Sequence, residues 1–319
     1  SLTEGITEKS YNKIIKQVID NLPILEEWHS PQILRLFNNI GWNDSIKRLH
    51  QPENIGKYKD NFYRRLAYDE IFSTFLVNSE IRKKIKKIKK KRKKINKEQQ
   101  NKIIKQLDFK LTNDQIKTLE EINDDLSSPK KMFRLLQGDV GSGKTIVSLL
   151  SALNTIDSDF QVAFMAPTEI LARQHFNLAK KIYPKKINIE FISGKSDYSN
   201  KKRILSNLLN HKIDIVFGTH AIFQKKIVFK KLGLIIIDEQ HKFGVNQRKK
   251  LSDKGGEDCD VLLMTATPIP RTLTMTIYGD MDLSIIREKP KKRKIVKTYS
   301  KPESKIDDVI KFIKKEIKL

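Results

Sequence analysis

The chain is short of the features that staple a secreted domain or anchor a membrane protein. Its 319 residues hold one cysteine, Cys259, which excludes an internal disulfide and fits a reducing compartment. The longest aliphatic run, near "LGLIII" at 232–237, falls far below the ~20 apolar residues that span a bilayer. The opening "SLTEGITEKS" lacks the basic-then-apolar order of an export signal. No internal repeat stands out, and the histidines, acids and lone cysteine form no convincing metal-ligand spacing. A soluble cytoplasmic protein is therefore expected, and an opening Ser in place of Met reads as a segment of something longer.

Acidic residues are also in short supply, 38 against 63 Lys and Arg, for a net charge of +25. That excess favours a polyanionic partner such as nucleic acid, although a coding bias toward Lys, Ile and Asn would produce it too. In "RKKIKKIKKKRKK", 82–94, eleven of thirteen residues are basic, and Ile81, Ile85 and Ile88 keep a thin apolar stripe. Two readings stand side by side: a phosphate-contacting helix or arm, and a solvated linker helix.

The length suits roughly two domains of ~100–200 residues. Residues 1–105 read as helical, with Ile14, Ile15, Val18, Ile19 and Leu22 near helical spacing before Pro23. In "RRLAYDEIFSTFL", Tyr68, Phe72, Phe75 and Leu76 fall at i, i+4, i+7 and i+8, one helix face. From 106 to 290 short β-rich runs ("FRLLQ", "VAFMA", "IEFI", "DIVFG", "LIIID", "VLLMTA") alternate with helical patterns, which predicts an α/β fold with a parallel sheet. Ligands of such sheets sit at the carboxyl ends of strands, here Gly138, Pro167, Gly218, Asp238 and Thr265. Residues 291–319 read as a basic connector and an amphipathic helix carrying Ile306, Val309, Ile310, Ile313 and Ile317.

"GDVGSGKT", 138–145, is the pattern G-x-x-x-x-G-K-[ST] between a strand and a helix, the setting a P-loop requires. The segment Gly138, Asp139, Val140, Gly141, Ser142, Gly143, Lys144 and Thr145 would cradle a nucleotide's phosphates. Glycines admit positive φ and close approach, and the helix N-terminus adds a partial positive charge. Lys144 would reach the β and γ oxygens and Thr145 would offer its hydroxyl to Mg²⁺. "LGLIIIDEQH" then places Asp238 and Glu239 after a buried strand. Asp238 would hold Mg²⁺ through water, and Glu239, beside the metal, would orient and deprotonate the attacking water.

With "LTNDQ" at 111–115, "MAPTEILARQH" at 165–175, "GTHAIFQ" at 218–224, "IIDEQHKFGVNQR" at 236–248 and "MTATPIPRTLTMTIYGDMDLS" at 264–284, these motifs resemble the superfamily 2 DNA helicases. Within that superfamily they are similar to the branch-migrating RecG family, and "LTEG" and "RRLAYDE" extend the likeness to the stretch joining a wedge domain to the motor. The resemblance implies a helical linker over 1–105, a RecA-like ATP-binding lobe over 106–290, and a hinge with the start of a second lobe over 291–319. It implies an ATP- and Mg²⁺-dependent helicase, acting as a monomer on branched DNA such as stalled forks and Holliday junctions. Gln115 would sense adenine and Phe109, six residues upstream, would stack on it. Pro167, Thr168, Gly194 and Thr219 would grip phosphates of one DNA strand. Gln240, His241, Thr265, Ala266 and Thr267 would relay nucleotide state to that strand, and His241 is the only histidine given a role. The family's wedge and second lobe, with its arginine finger, do not appear here. A finger is worth roughly 10³–10⁵ in rate, so the chain is expected to bind ATP and hydrolyse it very slowly. Two alternatives remain: another superfamily 2 translocase such as the transcription-repair coupling factor, and a non-catalytic basic nucleic-acid-binding remnant.

Overall fold

The computed structural model describes residues 7–50, 59–193, 198–224, 226–239, 255–267, 281–288 and 298–317. Helices α1 (Glu8–Asp20), α2 (Pro31–Arg35), α3 (Trp42–His50) and α4 (Lys59–Lys87) build the first part of the chain. Thr7 caps α1 by accepting from the Ser10 amide, the role a short hydroxyl serves at a helix start. Of the apolar residues at helical spacing in α1, Ile19 is buried whereas Ile14 and Val18 stay exposed.

Aromatics and one buried cation hold α2–α4 together. The Arg65 side chain is wholly buried: Nη1 donates to Asp69, Nη2 to Glu27 at 2.8 Å, and Nε to the Ile40 carbonyl at 3.3 Å. Its guanidinium also lies near the rings of Trp28 and Phe37, 5.5 and 5.9 Å from their centroids. Such a charge is tolerable inside only because its donors are paired. Of the stripe that the spacing places on one face of α4, Tyr68 and Phe72 pack against His29, but Phe75 and Leu76 are exposed.

The basic run is not one helix. It finishes α4 at Lys87 and continues extended, with Lys89 bridging Lys130 and Lys90 and Lys93 donating backbone N–H groups to Pro129 and Leu126. Inside this strap, Lys90 Nζ and Lys93 Nζ each lie 2.6 Å from the Asp260 carboxylate, all three side chains fully buried. Burial holds the Lys90 ammonium below the ordinary lysine range, against the opposing pull of Asp260. Arg82 and Lys86 pair with Asp282. Part of the run therefore clasps the helical region onto the α/β lobe, while Lys83, Lys84, Lys87, Lys89, Lys91, Arg92 and Lys94 stay exposed.

Helices α5 (Lys97–Gln106) and α6 (Asn113–Ser127) lead into the sheet, and Ile103 of α5 already sits in the lobe's core. The strands are β1 (Phe133–Gly138), β2 (Gln161–Met165), β3 (Ile189–Ile192), β4 (Ile215–Gly218), β5 (Leu232–Ile237), β6 (Asp260–Thr265) and β7 (Asp282–Ile286). They pair in parallel in the order β3-β4-β2-β5-β6-β1-β7. Helices α7 (Lys144–Asp157), α8 (Glu169–Ile182) and α9 (Tyr198–Leu209) make crossovers, and α10 (Ile306–Ile317) closes the described chain. Alternate residues feed opposite faces: Ile236 joins the core under α6–α8, Ile235 and Ile237 the core that also holds Ile204 and Leu208 of α9. That is why the central strands read as unbroken aliphatic runs. Edge strand β7 has no counterpart among the predicted runs, because Asp282 and Ser284 interrupt the aliphatic pattern of "DLSII". Among the described residues no helix is long and apolar enough to cross a membrane.

Candidate functional site

Sheet order divides the carboxyl edge into two halves. The ends of β1, β6 and β5 bring together the P-loop, Thr265 and Asp238; the ends of β2, β4 and β3 bring together Pro167–Thr168, Thr219 and Ser193. Gly194, Gln240 and His241 lie outside the described residues.

In the P-loop, Gly141 and Gly143 take φ of 75° and 90°, a region closed to most side chains. A Cβ on Gly138 would meet Ser142 Oγ at 2.5 Å, and one on Gly143 would meet Gln115 Nε2 at 2.3 Å. Asp139 shapes the turn: its side chain accepts from Val140 N at 2.8 Å and its carbonyl from Ser142 N at 3.0 Å. The Gly143 carbonyl receives its helical bond from Val147 N, so the amides of Lys144, Thr145 and Ile146 lie ahead of it at the positive end of α7.

Lys144 Nζ donates to the carbonyls of Gly138 at 2.7 Å and Asp139 at 3.2 Å. Burial pushes its pKa down, and Glu239, Asp238 and Asp139 pull against that. A buried ammonium held by loop carbonyls near three acids is a cation poised for an anionic ligand. Ser142 Oγ is buried with no hydrogen-bond partner. The glycine cradle, the orphaned hydroxyl and the open helix terminus suit a polyphosphate, and the Thr145 hydroxyl with the Asp238 carboxylate is an oxygen set suited to Mg²⁺. Among the described residues no cluster of three or more His, Cys, Asp or Glu could hold a metal by itself.

Asp238 follows β5, and its N–H donates to the Met165 carbonyl at 2.9 Å. Glu239 stands in the left-handed region at φ 50°, costly for a non-glycine residue and common at sites where strain aims a side chain. Its Oε2 accepts from Ala266 N at 3.4 Å, while Thr267 N donates to Thr265 Oγ1 and the Thr267 carbonyl accepts from Gln137. Glu239 and the Thr265–Thr267 segment are thus in direct contact.

Gln115 braces the loop. Its Oε1 accepts from Thr112 N at 2.9 Å in a capping box and its Nε2 donates to the Ser142 carbonyl at 2.7 Å. Phe109, 39 % exposed, borders a groove of about 850 Å³ with Ile104, Leu107, Leu111 and Ile116. Pro167 and Thr168 are exposed; Thr168 caps α8, and Ala166 N donates to the Gly218 carbonyl, so the β2 and β4 ends are laced together beside Thr219. One pairing was missed by sequence reasoning: His175 Nε2 lies 2.8 Å from Asp238 Oδ2, both side chains buried. The signal was a lone imidazole in the buried stripe Ala172, His175, Ala179, Ile182.

This constellation on a parallel sheet defines a P-loop nucleotide-binding lobe. A model of the DEAD/DEAH box helicase family matches residues 112–276, just over half of the chain, and the chain belongs to that family. Within it, the sequence is similar to the ATP-dependent DNA helicase RecG. The RecG of Thermotoga maritima is 42% identical over 318 residues, 99% of this chain and 40% of that protein. The RecG of Bacillus subtilis is 40% identical over 325 residues, 100% of this chain and 47% of that protein. A solved structure of RecG bound to a three-way DNA junction matches with a TM-score of 0.76 and 40% identity, over 99% of this chain and 43% of that one. The DEAD-box helicase Mss116 bound to ssRNA and UDP-BeF, 22% identical with a TM-score of 0.52 over 70% of this chain and 51% of its own, shares the fold. The chain spans less than half the length of these RecG relatives.

Proposed function

We propose that this chain is the ATP-binding first lobe, with its helical linker, of a DNA translocase that remodels branched DNA in recombination and repair. Residues 1–105 would connect a wedge domain to the motor, 106–290 would form the lobe, and 291–319 would lead into a second lobe. The observation carrying this is the P-loop, with its buried Lys144 under the influence of Asp238 and Glu239. The similarity to a RecG solved on a three-way DNA junction supports the substrate class.

In this reading Lys144 exchanges the Gly138 and Asp139 carbonyls for β- and γ-phosphate oxygens, and the amides at the start of α7 receive the β-phosphate. Mg²⁺, when bound, neutralises charge on the transferring phosphoryl group; Thr145 and Asp238 would hold it. Glu239 accepts a proton from the water that attacks the γ-phosphorus, and the bond to the β-γ bridging oxygen breaks, releasing phosphate and ADP. Because Glu239 also contacts the Ala266 N–H, loss of the γ-phosphate would be felt in the Thr265–Thr267 segment. Gln115 and Phe109 would meet the adenine, and Gln240 and His241 would join the relay. Pro167, Thr168 and Thr219, on loops of the other half-edge, would hold one DNA strand by its phosphates, and Gly194 would join them.

The test is binding of a fluorescent ATP analogue by the chain, with and without Mg²⁺, together with ATPase of the longer protein containing it, with and without forked DNA. We expect Mg²⁺-dependent binding, fork-stimulated hydrolysis, and loss of both in Lys144→Ala. Hydrolysis indifferent to DNA, or undiminished in Lys144→Ala, overturns the reading and favours a non-catalytic nucleic-acid-binding segment.

A further inference from the structure

His175 lies on α8, seven residues after the Thr168 cap, so it faces the sheet about two turns below the β2 loop. It is 8 % exposed, and its ring packs on Phe164 of β2 with centroids 4.9 Å apart. Phe164 in turn stacks on Phe217 of β4 at 5.0 Å. A ring wedged in a close-packed interior has little freedom to turn. Among the described residues, its Nε2 lies 2.8 Å from Asp238 Oδ2.

Asp238 needs such a partner. It leaves β5 immediately before the strained Glu239, and its backbone is fixed by the Met165 carbonyl. Nothing in that backbone bond sets the side-chain torsions, and a carboxylate that must receive a metal has to be held in one rotamer. A hydrogen bond to one oxygen does this and leaves the other directed elsewhere. Carboxylates that hold metals are commonly fixed by such outer partners, and removing the partner typically costs 10–100-fold in metal affinity or activity.

We infer that His175 is a positioning residue, which orients the Asp238 carboxylate for Mg²⁺ and ties it rigidly to α8. The tie has a direction. The first turn of α8 carries Thr168 and follows Pro167, on the half-edge facing the proposed DNA strand, whereas Asp238 belongs to the nucleotide half. His175 joins α8 to that acid by a hydrogen bond, so a shift of α8 on the strand is transmitted to the metal-holding carboxylate. This rests on the Mg²⁺-nucleotide reading of the site.

The experiment compares the wild-type chain with His175→Phe, which keeps a ring and removes the donor, and His175→Gln, whose amide N–H restores one. Binding of the fluorescent ATP analogue is titrated against Mg²⁺, and separately measured in EDTA; thermal unfolding is followed in parallel. We expect His175→Phe to need 10–100-fold more Mg²⁺ with metal-free nucleotide affinity unchanged, and His175→Gln to recover to within a few-fold of wild type. His175→Asn, with an amide too short to reach Asp238, should behave like His175→Phe and gives the answer where the Phe variant fails to fold. A wild-type Mg²⁺ requirement in His175→Phe or His175→Asn overturns the inference, as does an equal loss in all three variants or a parallel loss in EDTA. If the wild-type chain shows no Mg²⁺-dependent binding, the nucleotide reading itself falls and takes this inference with it.

Discussion

The Gln115 amide nitrogen sits 2.7 Å from the Ser142 carbonyl and would stand 2.3 Å from any Cβ placed on Gly143. The P-loop is therefore shaped from outside as well as by its own glycines. Gly143→Ala meets a double obstacle, a φ of 90° and the Gln115 side chain. We expect it to lose nucleotide binding and to cost about 1–3 kcal/mol in stability. Adding Gln115→Ala relieves the clash but not the dihedral, so the double variant should recover only part of the stability. Denaturant titrations decide this, and a Gly143→Ala chain as stable as wild type would refute it.

The Lys90–Asp260–Lys93 triad makes a second prediction. Removing its acid leaves two buried ammonium groups facing each other, so Asp260→Ala should destabilise the chain by about 3–5 kcal/mol. Lys94→Ala, four residues along from Lys90 but exposed, should shift stability by less than about 0.5 kcal/mol. Equal effects would mean that the clasp contributes nothing particular.

If the basic run meets the phosphates of the proposed DNA strand, it does so through its exposed part. Replacing Lys84, Lys87, Lys89 and Lys94 with Gln should flatten the salt dependence of DNA binding, by roughly 0.9 in slope for each phosphate no longer neutralised. An unaltered slope would assign these residues to solvent.

Burial pushes the Cys259 thiol up to about 12 from an ordinary 9.0. In the folded chain it should resist alkylation at pH 8, so its labelling rate should follow unfolding. Between about pH 9 and about 12 the unfolded chain loses this proton and the folded chain keeps it, so the folded state binds more protons and stability falls as pH rises. Cys259→Ala should remove that component, at most about 1.4 kcal/mol per pH unit for one proton. Rapid alkylation of the native protein at pH 8 would contradict the burial.

Where a feature is written in neighbouring residues, the chain could be read directly. The P-loop glycines, the acids closing "LIIIDE" and the alternation of aliphatic runs with helices are local patterns, and six of the seven strands among the described residues followed from them. Strand β7 escaped because Asp282 and Ser284 break the aliphatic run of "DLSII", whereas the other edge strand, "IEFI", keeps three apolar residues in four. The basic run was not resolved by its sequence: eleven like charges look equally solvated until a buried acid selects two of them.

By itself the sequence determined the α/β class, the glycine-rich turn after β1 and the acids that follow β5, because each depends on residues within one turn or one strand. Tertiary structure alone decided which distant groups meet: His175 with Asp238 across 63 positions, Lys90 with Asp260 across 170, and Gln115 with Ser142 across 27. The first two meetings follow from the strand order, which sets β5 beside β2 and β6 beside β1, and the third from the packing of α6 against α7. That order minimises the free energy of the whole packed sheet, and no local periodicity records it.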